Sequence, residues 1–270
     1  MPELPEVENV ARALRHHLCG RRCTGITIQH DGILEPSPTA VRRATTGRVL
    51  QDVDRHGKYI VMGFSGEGPA HVMLHLRMTG QVFVQDDYLP DKHVHLTLDF
   101  DGKPVYYRDI RKFGRWTVVD PEWRTTALAH VGPDMLEVRF AAWYERIKRR
   151  QAPLKALLLD QGIAAGLGNI YVDEALFRAG VHPLARPVDL DQDTMKRVLR
   201  EAKGVLRLAV KHGGTTFLNF TNFHGKPGNF RRKLRVYGRG GEPCSRCGTV
   251  IEKITVGGRS TCFCATCQST

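Results

Sequence analysis

The 270-residue sequence lacks long apolar runs, since no uninterrupted stretch approaches the roughly 20 residues that cross a bilayer. Its first residues also lack the basic and then apolar layout of a secretory signal peptide. It has no internal repeats and no low-complexity segments. The 41% of hydrophobic residues indicates a globular chain, and 270 residues leave room for two domains. From the missing apolar run and signal layout we expect a soluble cytoplasmic protein without a membrane partner.

Acidic residues are few compared with basic ones. The chain has 28 Asp and Glu against 40 Lys and Arg, which gives a formal net charge of +12. Residues 226–259 contain nine basic residues and two acidic ones, so part of the excess is concentrated near the C-terminus. This balance favours a polyanionic partner, and nucleic acid is the usual one.

The spacing of apolar residues changes near Pro133. Before it, spacing of three and four predicts a helix over residues 7–18, and alternation predicts strands at 25–30, 59–64, 72–78, 96–100 and 115–119. After it, helical spacing predicts helices near 140–148, 154–160, 169–179 and 195–210. We therefore expect an α+β multi-domain chain, in which a β-sandwich with a flanking helix precedes a helical domain.

Two Cys-x2-Cys pairs near the C-terminus are separated by 16 residues, and their members are Cys244, Cys247, Cys264 and Cys267. This spacing predicts a tetrahedral site for one structural Zn²⁺, because four thiolates leave no open position for water. A pair of disulfides is the alternative, which a cytoplasmic chain does not favour. The other three cysteines, Cys19, Cys23 and Cys262, are predicted to be free thiols.

The segment between the two cysteine pairs predicts a β-hairpin. Gly257 and Gly258 suit its turn, and Arg259 follows directly. The zinc site would hold this ribbon with a basic side chain at its tip. Such a ribbon suits a DNA groove.

The chain begins Met1-Pro2-Glu3-Leu4-Pro5-Glu6-Val7-Glu8. The small side chain of Pro2 favours removal of Met1, which would free a secondary amine whose pKa lies near neutrality, at about 7.7–8 for an ordinary α-amino group. Such an amine attacks an aldehydic carbon to form a Schiff base, and Glu3 beside it can donate or accept a proton. The alternative is an acidic helix start without chemistry.

Residues 162–174 contain three glycines just before a predicted helix start at Asn169. A tight turn of this kind exposes backbone N–H groups to an anion such as a phosphate. An ordinary connection between two helices is the alternative.

The N-terminal PELPEVE, the GLGNIYVDE turn and the terminal four-cysteine finger together resemble the formamidopyrimidine-DNA glycosylase family over essentially the whole chain. The resemblance implies a catalytic β-sandwich in residues 1–136. It implies a helix–two-turns–helix DNA-binding domain with a lesion-capping loop in residues 137–224, and a basic segment with the zinc β-ribbon finger in residues 225–270.

The resemblance also implies an activity. A monomer would bind damaged duplex DNA, flip the nucleotide out of the stack, and excise oxidised purines such as 8-oxoguanine and formamidopyrimidines. Pro2 would attack C1′ and form the Schiff base, and the strand would then be cleaved by β- and δ-elimination. Glu3 would be the acid and base at the sugar, and Glu6 would support the site.

Further residues match the DNA contacts of the family. The implied phosphate contacts are Lys58 and Arg259, which belong to the catalytic group, together with His93 and Asn169. The residues implied to fill the space left by the flipped base are Met78, Arg111 and Phe113, with Arg111 facing the opposite cytosine. Met78 also continues the alternation of the preceding strand, so a core position is its alternative.

Two other functions stay open on the sequence alone. One is an endonuclease VIII-type glycosylase for oxidised pyrimidines. Leu4 and the pair Arg111 and Phe113 favour the purine enzyme over it. The other is a non-catalytic zinc-ribbon DNA-binding relative. The segment from Thr215 to Phe230 matches the capping loop, but Leu218 stands where some relatives have a lysine, and this leaves the lesion preference open.

Overall fold

Helix α1 (Leu4–Leu18) begins at the N-terminal sequence motif itself. Its apolar residues fall three or four apart and are buried on one face, as the spacing predicts. The start of the helix is a capping box, in which the Glu3 side chain accepts from the Glu6 backbone N–H while Glu6 accepts from the Glu3 backbone N–H. The chain therefore places both acidic residues of the motif at a helix start.

The computed structural model describes residues 1–66, 70–85, 88–215 and 228–269. The strands of its first half form two sheets that share one hydrophobic core with α1. The four-stranded sheet has the order β1-β7-β8-β6. Its strands are β1 (Cys23–Ile28), β6 (Gly80–Phe83), β7 (Val94–Phe100) and β8 (Lys103–Asp109).

The five-stranded sheet has the order β2-β9-β5-β4-β3. Its strands are β2 (Leu34–Glu35), β3 (Leu50–His56), β4 (Tyr59–Phe64), β5 (His71–His75) and β9 (Arg115–Val119). A short helix, α2 (Pro38–Thr45), follows β2, and Ser37 caps it by accepting from Ala40 N at 3.2 Å. These two sheets confirm the predicted β-sandwich with a flanking helix.

The second half is helical. It contains α3 (Phe140–Ile147), α4 (Leu154–Leu159), α5 (Asn169–Ala179) and α6 (Gln192–Lys211), and α5 packs against α6. The last two strands, β10 (Glu252–Val256) and β11 (Arg259–Phe263), pair antiparallel across the turn at Gly257 and Gly258. The predicted helices and the predicted hairpin are confirmed.

Two compact units account for the internal contacts of the chain. One comprises Met1–Ala129 with His212–Arg231, and the other His130–Lys211 with Arg232–Thr270. Residues after α6 thus group with the β-sandwich, whereas the predicted division placed residues up to 224 with the helices. The three-segment division stays a prediction about sequence modules. Among the described residues, no helix has the length and apolarity that crossing a membrane requires.

One predicted strand is too long. The alternation suggested a strand over residues 72–78, but β5 ends at His75. Leu76 is still buried, and the chain then turns at Arg77, whose φ is +53°. Gly80 N closes this turn by donating to Leu76 O at 3.0 Å. Met78 therefore lies on a loop and is 40% exposed, so the alternative of a core methionine is wrong.

Candidate functional site

The N-terminal residues that the sequence singled out lie close together around one carboxylate. Pro2, Glu3 and Glu6 are all buried. Glu6 Oε2 accepts from Glu3 N at 2.8 Å, and Glu6 Oε1 accepts from Thr215 N at 2.7 Å. Glu6 thus joins the N-terminal backbone to the residue at which the implied capping loop begins. Residues 216–227 of that loop, which include Leu218, lie outside the described residues.

Lys58 lies in the turn between β3 and β4 and is only 7% exposed. Gly57 allows the turn by adopting a φ of +58°, and its carbonyl accepts from Arg55 Nη1 at 3.0 Å. Arg55 is itself paired with Glu8 of α1, with Nε and Oε2 2.6 Å apart. The ion pair therefore supports the turn that carries Lys58.

The imidazole of His75, at the end of β5, is affected by the positive charges of Arg77 and Lys58. Burial, followed by the charges of Arg77 and Lys58, lowers its pKa to about 3. Its Nδ1 accepts from Arg77 N at 3.0 Å, which requires the unprotonated nitrogen. His75 is therefore a neutral imidazole at physiological pH.

Three predicted DNA-contact residues meet on two neighbouring loops. Arg111 Nη1 lies 2.9 Å from Met78 Sδ, and Arg111 Cζ lies 4.5 Å from the centre of the Phe113 ring. Met78 and Phe113 are 40% and 46% exposed, which is unusual for large apolar side chains. The structure thus assembles a small exposed cluster of sulfur, guanidinium and aromatic ring.

His93 is connected by a backbone hydrogen bond to β8, the strand that precedes the loop of Arg111 and Phe113. It stands just before β7, and its carbonyl accepts from Asp109 N at 2.9 Å. Its own N–H donates to Asp91 Oδ1 at 2.9 Å, and Asp91 also pairs with Arg108 at 2.9 Å. Its backbone is therefore held at the end of the sheet by Asp109, which lies two residues before Arg111.

Asn169 is the first residue of α5, and its side chain reaches the zinc-finger ribbon. Asn169 Nδ2 donates to Ser260 O at 2.8 Å. Arg259, the neighbour of Ser260, begins β11 directly after the glycine turn. The helix start and the ribbon tip, which the resemblance assigned to phosphate contacts, are therefore adjacent.

A buried ion pair that the sequence analysis did not identify supports this arrangement. Lys155 Nζ lies 2.6 Å from Asp173 Oδ1, and both side chains are 0% exposed. The same ammonium group donates to Ser260 O at 3.1 Å and to Thr261 Oγ1 at 2.7 Å. Burial raises the pKa of Asp173 to about 6 despite the nearby Lys155 charge. The pair thereby joins α4 and α5 to β11, the strand that begins at Arg259.

The four predicted zinc ligands come together, because the Sγ atoms of Cys244, Cys247, Cys264 and Cys267 all lie within 4.8 Å of one another. Sulfurs of a tetrahedral site with Zn–S bonds of about 2.3 Å stand about 3.8 Å apart, so the donor set and its spacing fit one Zn²⁺. Within the described chain, the other three cysteines are free thiols, as predicted. The finger therefore has a structural zinc site made of four cysteines.

Three family matches cover most of the chain. Residues 1–116 match the formamidopyrimidine-DNA glycosylase N-terminal domain, and residues 131–221 match the H2TH domain of the same family. Residues 241–270 match the zinc finger found in FPG and IleRS, where FPG stands for the same glycosylase.

Individual relatives agree with these matches. The formamidopyrimidine-DNA glycosylase of Chloroflexus aurantiacus is 40% identical over 275 residues, which cover 100% of this chain and 98% of the relative. The solved structure of a mutant Lactococcus lactis enzyme in complex with Fapy-dG-containing DNA has a TM-score of 0.92 and 32% identity, with complete coverage of both chains.

A second solved structure is similar. The wild-type Lactococcus lactis enzyme in complex with DNA containing an oxidised pyrimidine has a TM-score of 0.91, again at 32% identity over both complete chains. The relatives and the domain matches both span the sandwich, the helices and the finger. The chain therefore belongs to the formamidopyrimidine-DNA glycosylase family.

Proposed function

We propose that this chain, a DNA repair glycosylase, excises oxidised purines from duplex DNA and then cleaves the strand at the abasic site. The observation that carries the proposal is the N-terminal segment, in which Pro2 and Glu3 are buried and Glu6 accepts from the Glu3 backbone. A family member with this segment has a preorganised nucleophile and a proton-transfer group side by side.

The chemistry begins when Met1 is removed. With Met1 attached, the Pro2 nitrogen is a tertiary amide and has no nucleophilic lone pair; without Met1 it is a secondary amine. The amine attacks C1′ of the damaged nucleotide, the glycosidic bond breaks, and the bonding electrons leave with the base, which takes up a proton. Glu3 transfers protons at the sugar as its ring opens to the iminium ion.

Strand cleavage follows from the iminium ion, because it makes the C2′ proton acidic. Loss of that proton expels the phosphate on the 3′ side, and a second elimination expels the phosphate on the 5′ side. Both ends of the gap then carry phosphates, and hydrolysis returns the Pro2 amine. The role of Glu6 is to hold the backbone of Glu3 and Thr215, which its two oxygens contact.

The remaining predicted residues bind DNA in this proposal. Lys58, Asn169, Arg259 and His93 contact phosphates around the lesion, and their placement on loops, a helix start and a ribbon tip suits that role. Met78, Arg111 and Phe113 fill the space that the flipped nucleotide leaves. Their mutual contacts and their exposure support this, because apolar side chains held together at the surface are ready to enter a base stack.

The alternative substrate class is oxidised pyrimidines. The Lactococcus lactis relative has been crystallised with Fapy-dG-containing DNA and with DNA containing an oxidised pyrimidine. Family membership favours the purine preference for this chain. Paired single-turnover excision assays on otherwise identical duplexes with 8-oxoguanine or thymine glycol test it. Faster excision of 8-oxoguanine is expected, and faster excision of thymine glycol would establish the pyrimidine enzyme instead.

The same duplexes test catalysis against binding alone. A non-catalytic relative would bind the duplex with 8-oxoguanine but would neither release the base nor nick the strand. We further propose that the active form is a monomer that works on DNA in the cytoplasm. Sedimentation of the protein with and without a short lesion duplex tests this, with one chain per duplex as the expected result.

A further inference from the structure

Asp109, the last residue of β8, is a buried carboxylate at 0% exposure that none of the proposed chemical steps uses. It lies between two loops, defined here as the Met78 loop (residues 76–80) and the Arg111 loop (residues 110–114). Its position makes it the common support of both loops, because each loop donates hydrogen bonds to it.

Oδ1 of Asp109 accepts from both loops, and Oδ2 accepts from the Arg111 loop and from Tyr107 of β8. Oδ1 accepts from the Thr79 hydroxyl of the Met78 loop and from Arg111 N at 3.1 Å. Oδ2 accepts from Gly114 N at 2.8 Å and from Tyr107 Oη at 3.1 Å. The Thr79 hydroxyl also accepts from Arg111 N at 3.1 Å, which closes the link from one loop to the other.

All four donors are neutral groups aimed at one carboxylate. Hydrogen bonds to an ionised acceptor are about twice as strong as those between neutral groups. Burial, followed by the Asp109 charge, raises the pKa of Tyr107, so that its hydroxyl stays a donor. The Asp109 backbone is fixed too, since its carbonyl lies 2.8 Å from Nε2 of the buried His95.

Both loops have shapes that depend on outside support. Arg77 and Lys112 have φ values of +53° and +57°, which non-glycine residues rarely adopt. A Cβ placed on Gly114 would lie 1.7 Å from Tyr107 Oη and 3.2 Å from Asp109 Oδ2, so the loop packs directly onto these side chains. The hydrogen bonds to Asp109 therefore determine where the exposed residues of both loops point.

We propose that Asp109 is a positioning residue that couples the two loops, so that Met78, Arg111 and Phe113 enter the duplex as one unit when the damaged nucleotide leaves the stack. This inference rests on the proposed function, because it assumes that these three residues fill the vacated space. It assigns to Asp109 an effect on nucleotide flipping and no contact with the reacting atoms.

The substitution Asp109→Asn tests this role with almost no change in shape. The Asn amide replaces one oxygen by an NH2 donor, which then faces the two donors from which that oxygen accepted. We expect excision of 8-oxoguanine from duplex DNA to slow by about tenfold or more, the factor that one lost charge-assisted hydrogen bond accounts for. Cleavage of a preformed abasic site is expected to change less than about threefold, since no stacked base has to be displaced there.

Two further variants make the test decisive. Thr79→Val removes the hydroxyl link alone, is nearly isosteric, and should give the same pattern to a smaller extent. Asp99→Asn is the matched control, because Asp99 accepts from Gly102 N at 2.7 Å in the turn at the other end of β8. Its excision rate should equal that of the parent. If Asp109→Asn does not fold, Thr79→Val decides the question.

A double-mutant cycle separates positioning from general structure. In a Met78→Ala/Phe113→Ala background, adding Asp109→Asn should have little further effect on excision, because the groups it positions are gone. The rise in fluorescence of 2-aminopurine opposite the lesion, which reports unstacking on binding, should be smaller in both Asp109→Asn and Met78→Ala/Phe113→Ala than in the parent.

The results that overturn the inference differ from those that overturn the proposed function. Equal losses of 8-oxoguanine excision and abasic-site cleavage in Asp109→Asn, a fully additive cycle, or parent-like excision would each reject the positioning role. A parent protein that forms no excision product on any lesion duplex would reject the proposed function itself.

Discussion

Glu6 Oε1 accepts a hydrogen bond from Thr215 N at 2.7 Å, although 209 positions separate the two residues. The second oxygen of the same carboxylate accepts from Glu3 N at 2.8 Å. A Cβ placed on Gly214 would lie 2.7 Å from Glu6 Oε1, so a close backbone approach accompanies these bonds. Glu6 thus connects the proposed nucleophile segment to the beginning of the implied capping loop.

Replacing Glu6 by Gln should therefore slow chemistry more than binding. The Gln amide retains one acceptor, but its NH2 group faces either Glu3 N or Thr215 N, so one bond is lost and two donors oppose each other. We expect the rate of Schiff-base formation on abasic DNA to fall by about tenfold to a hundredfold, with affinity for the DNA nearly unchanged.

Glu145→Gln is the matched control for Glu6, because Glu145 is an exposed carboxylate paired with Lys148. Pre-steady-state trapping gives the rate, and a filter-binding titration gives the affinity. An unchanged trapping rate in Glu6→Gln would remove Glu6 from the supporting group.

The pair Lys155 and Asp173 gives a prediction about stability. Lys155→Ala leaves a buried carboxylate without its cation, which should lower the free energy of unfolding by about 3–5 kcal/mol. Replacing both members, as Lys155→Met/Asp173→Leu, should recover much of that loss. Lys148→Ala, which breaks an exposed pair, should cost less than about 1 kcal/mol.

Urea unfolding of the full chain measures these differences. The pair also holds Ser260 beside Arg259, so the double variant should bind lesion DNA more weakly than its recovered stability suggests. A double variant with parent-like DNA affinity would show that the pair does not position the ribbon tip.

His75 gives a prediction about pH. Its pKa is lowered to about 3 in the folded chain, against an ordinary value of 6.5. Between these values the unfolded chain binds a proton that the folded chain does not. This histidine's stabilising contribution is therefore complete above pH 6.5 and decreases as the pH falls toward 3, at up to about 1.4 kcal/mol per pH unit for one proton.

His75→Asn removes the titration while its amide oxygen still accepts from Arg77 N. Below about pH 6.5, we expect the free energy of unfolding of this variant to depend less steeply on pH than that of the parent. The difference in slope should correspond to about one proton, and urea titrations at a series of pH values measure it. The same slope in parent and variant would show that His75 titrates in the folded chain as it does in the unfolded one.

Removal of zinc gives a prediction about the finger. The buried cluster around Cys244, Cys262 and Cys264 contains few other apolar residues, so the ribbon should unfold without the metal. Chelation should therefore abolish DNA binding while the β-sandwich core stays folded. Circular dichroism and a DNA titration, repeated after zinc is restored, measure both. Full nicking activity in the zinc-free protein would contradict this.

Sequence patterns predicted those parts of the molecule that are determined by residues close together in the chain. The cysteine spacing, the α5 helix at Asn169 and the hairpin turn at Gly257 each depend on a few neighbouring residues, and the structure confirms all three. The α2 helix and strands β2, β3, β6 and β8 were not predicted. In β3, the buried positions Leu50, Val53 and Arg55 do not alternate strictly, because the pairing with β4 shifts register between Leu50 and Asp52.

The residues that support the site were missed for a different reason. Lys155 reaches Thr261 across 106 positions, and Asp109 reaches Thr79 across 30. Nothing in the local sequence distinguishes either residue from an exposed charge. Such contacts exist only once the two sheets, or the helices and the ribbon, have packed, and so only a structure identifies them.

Reductive trapping of the protein on abasic-site duplex DNA with borohydride tests most directly whether Pro2 is the nucleophile. The reductant converts the iminium ion to a stable amine, so we expect a covalent protein–DNA product whose linked peptide begins at Pro2. Pro2→Gly and a chain extended by one residue before Pro2 should greatly reduce or abolish it. A trapped product linked through a lysine, or equal trapping by the extended chain, would contradict the assignment of Pro2 as the nucleophile.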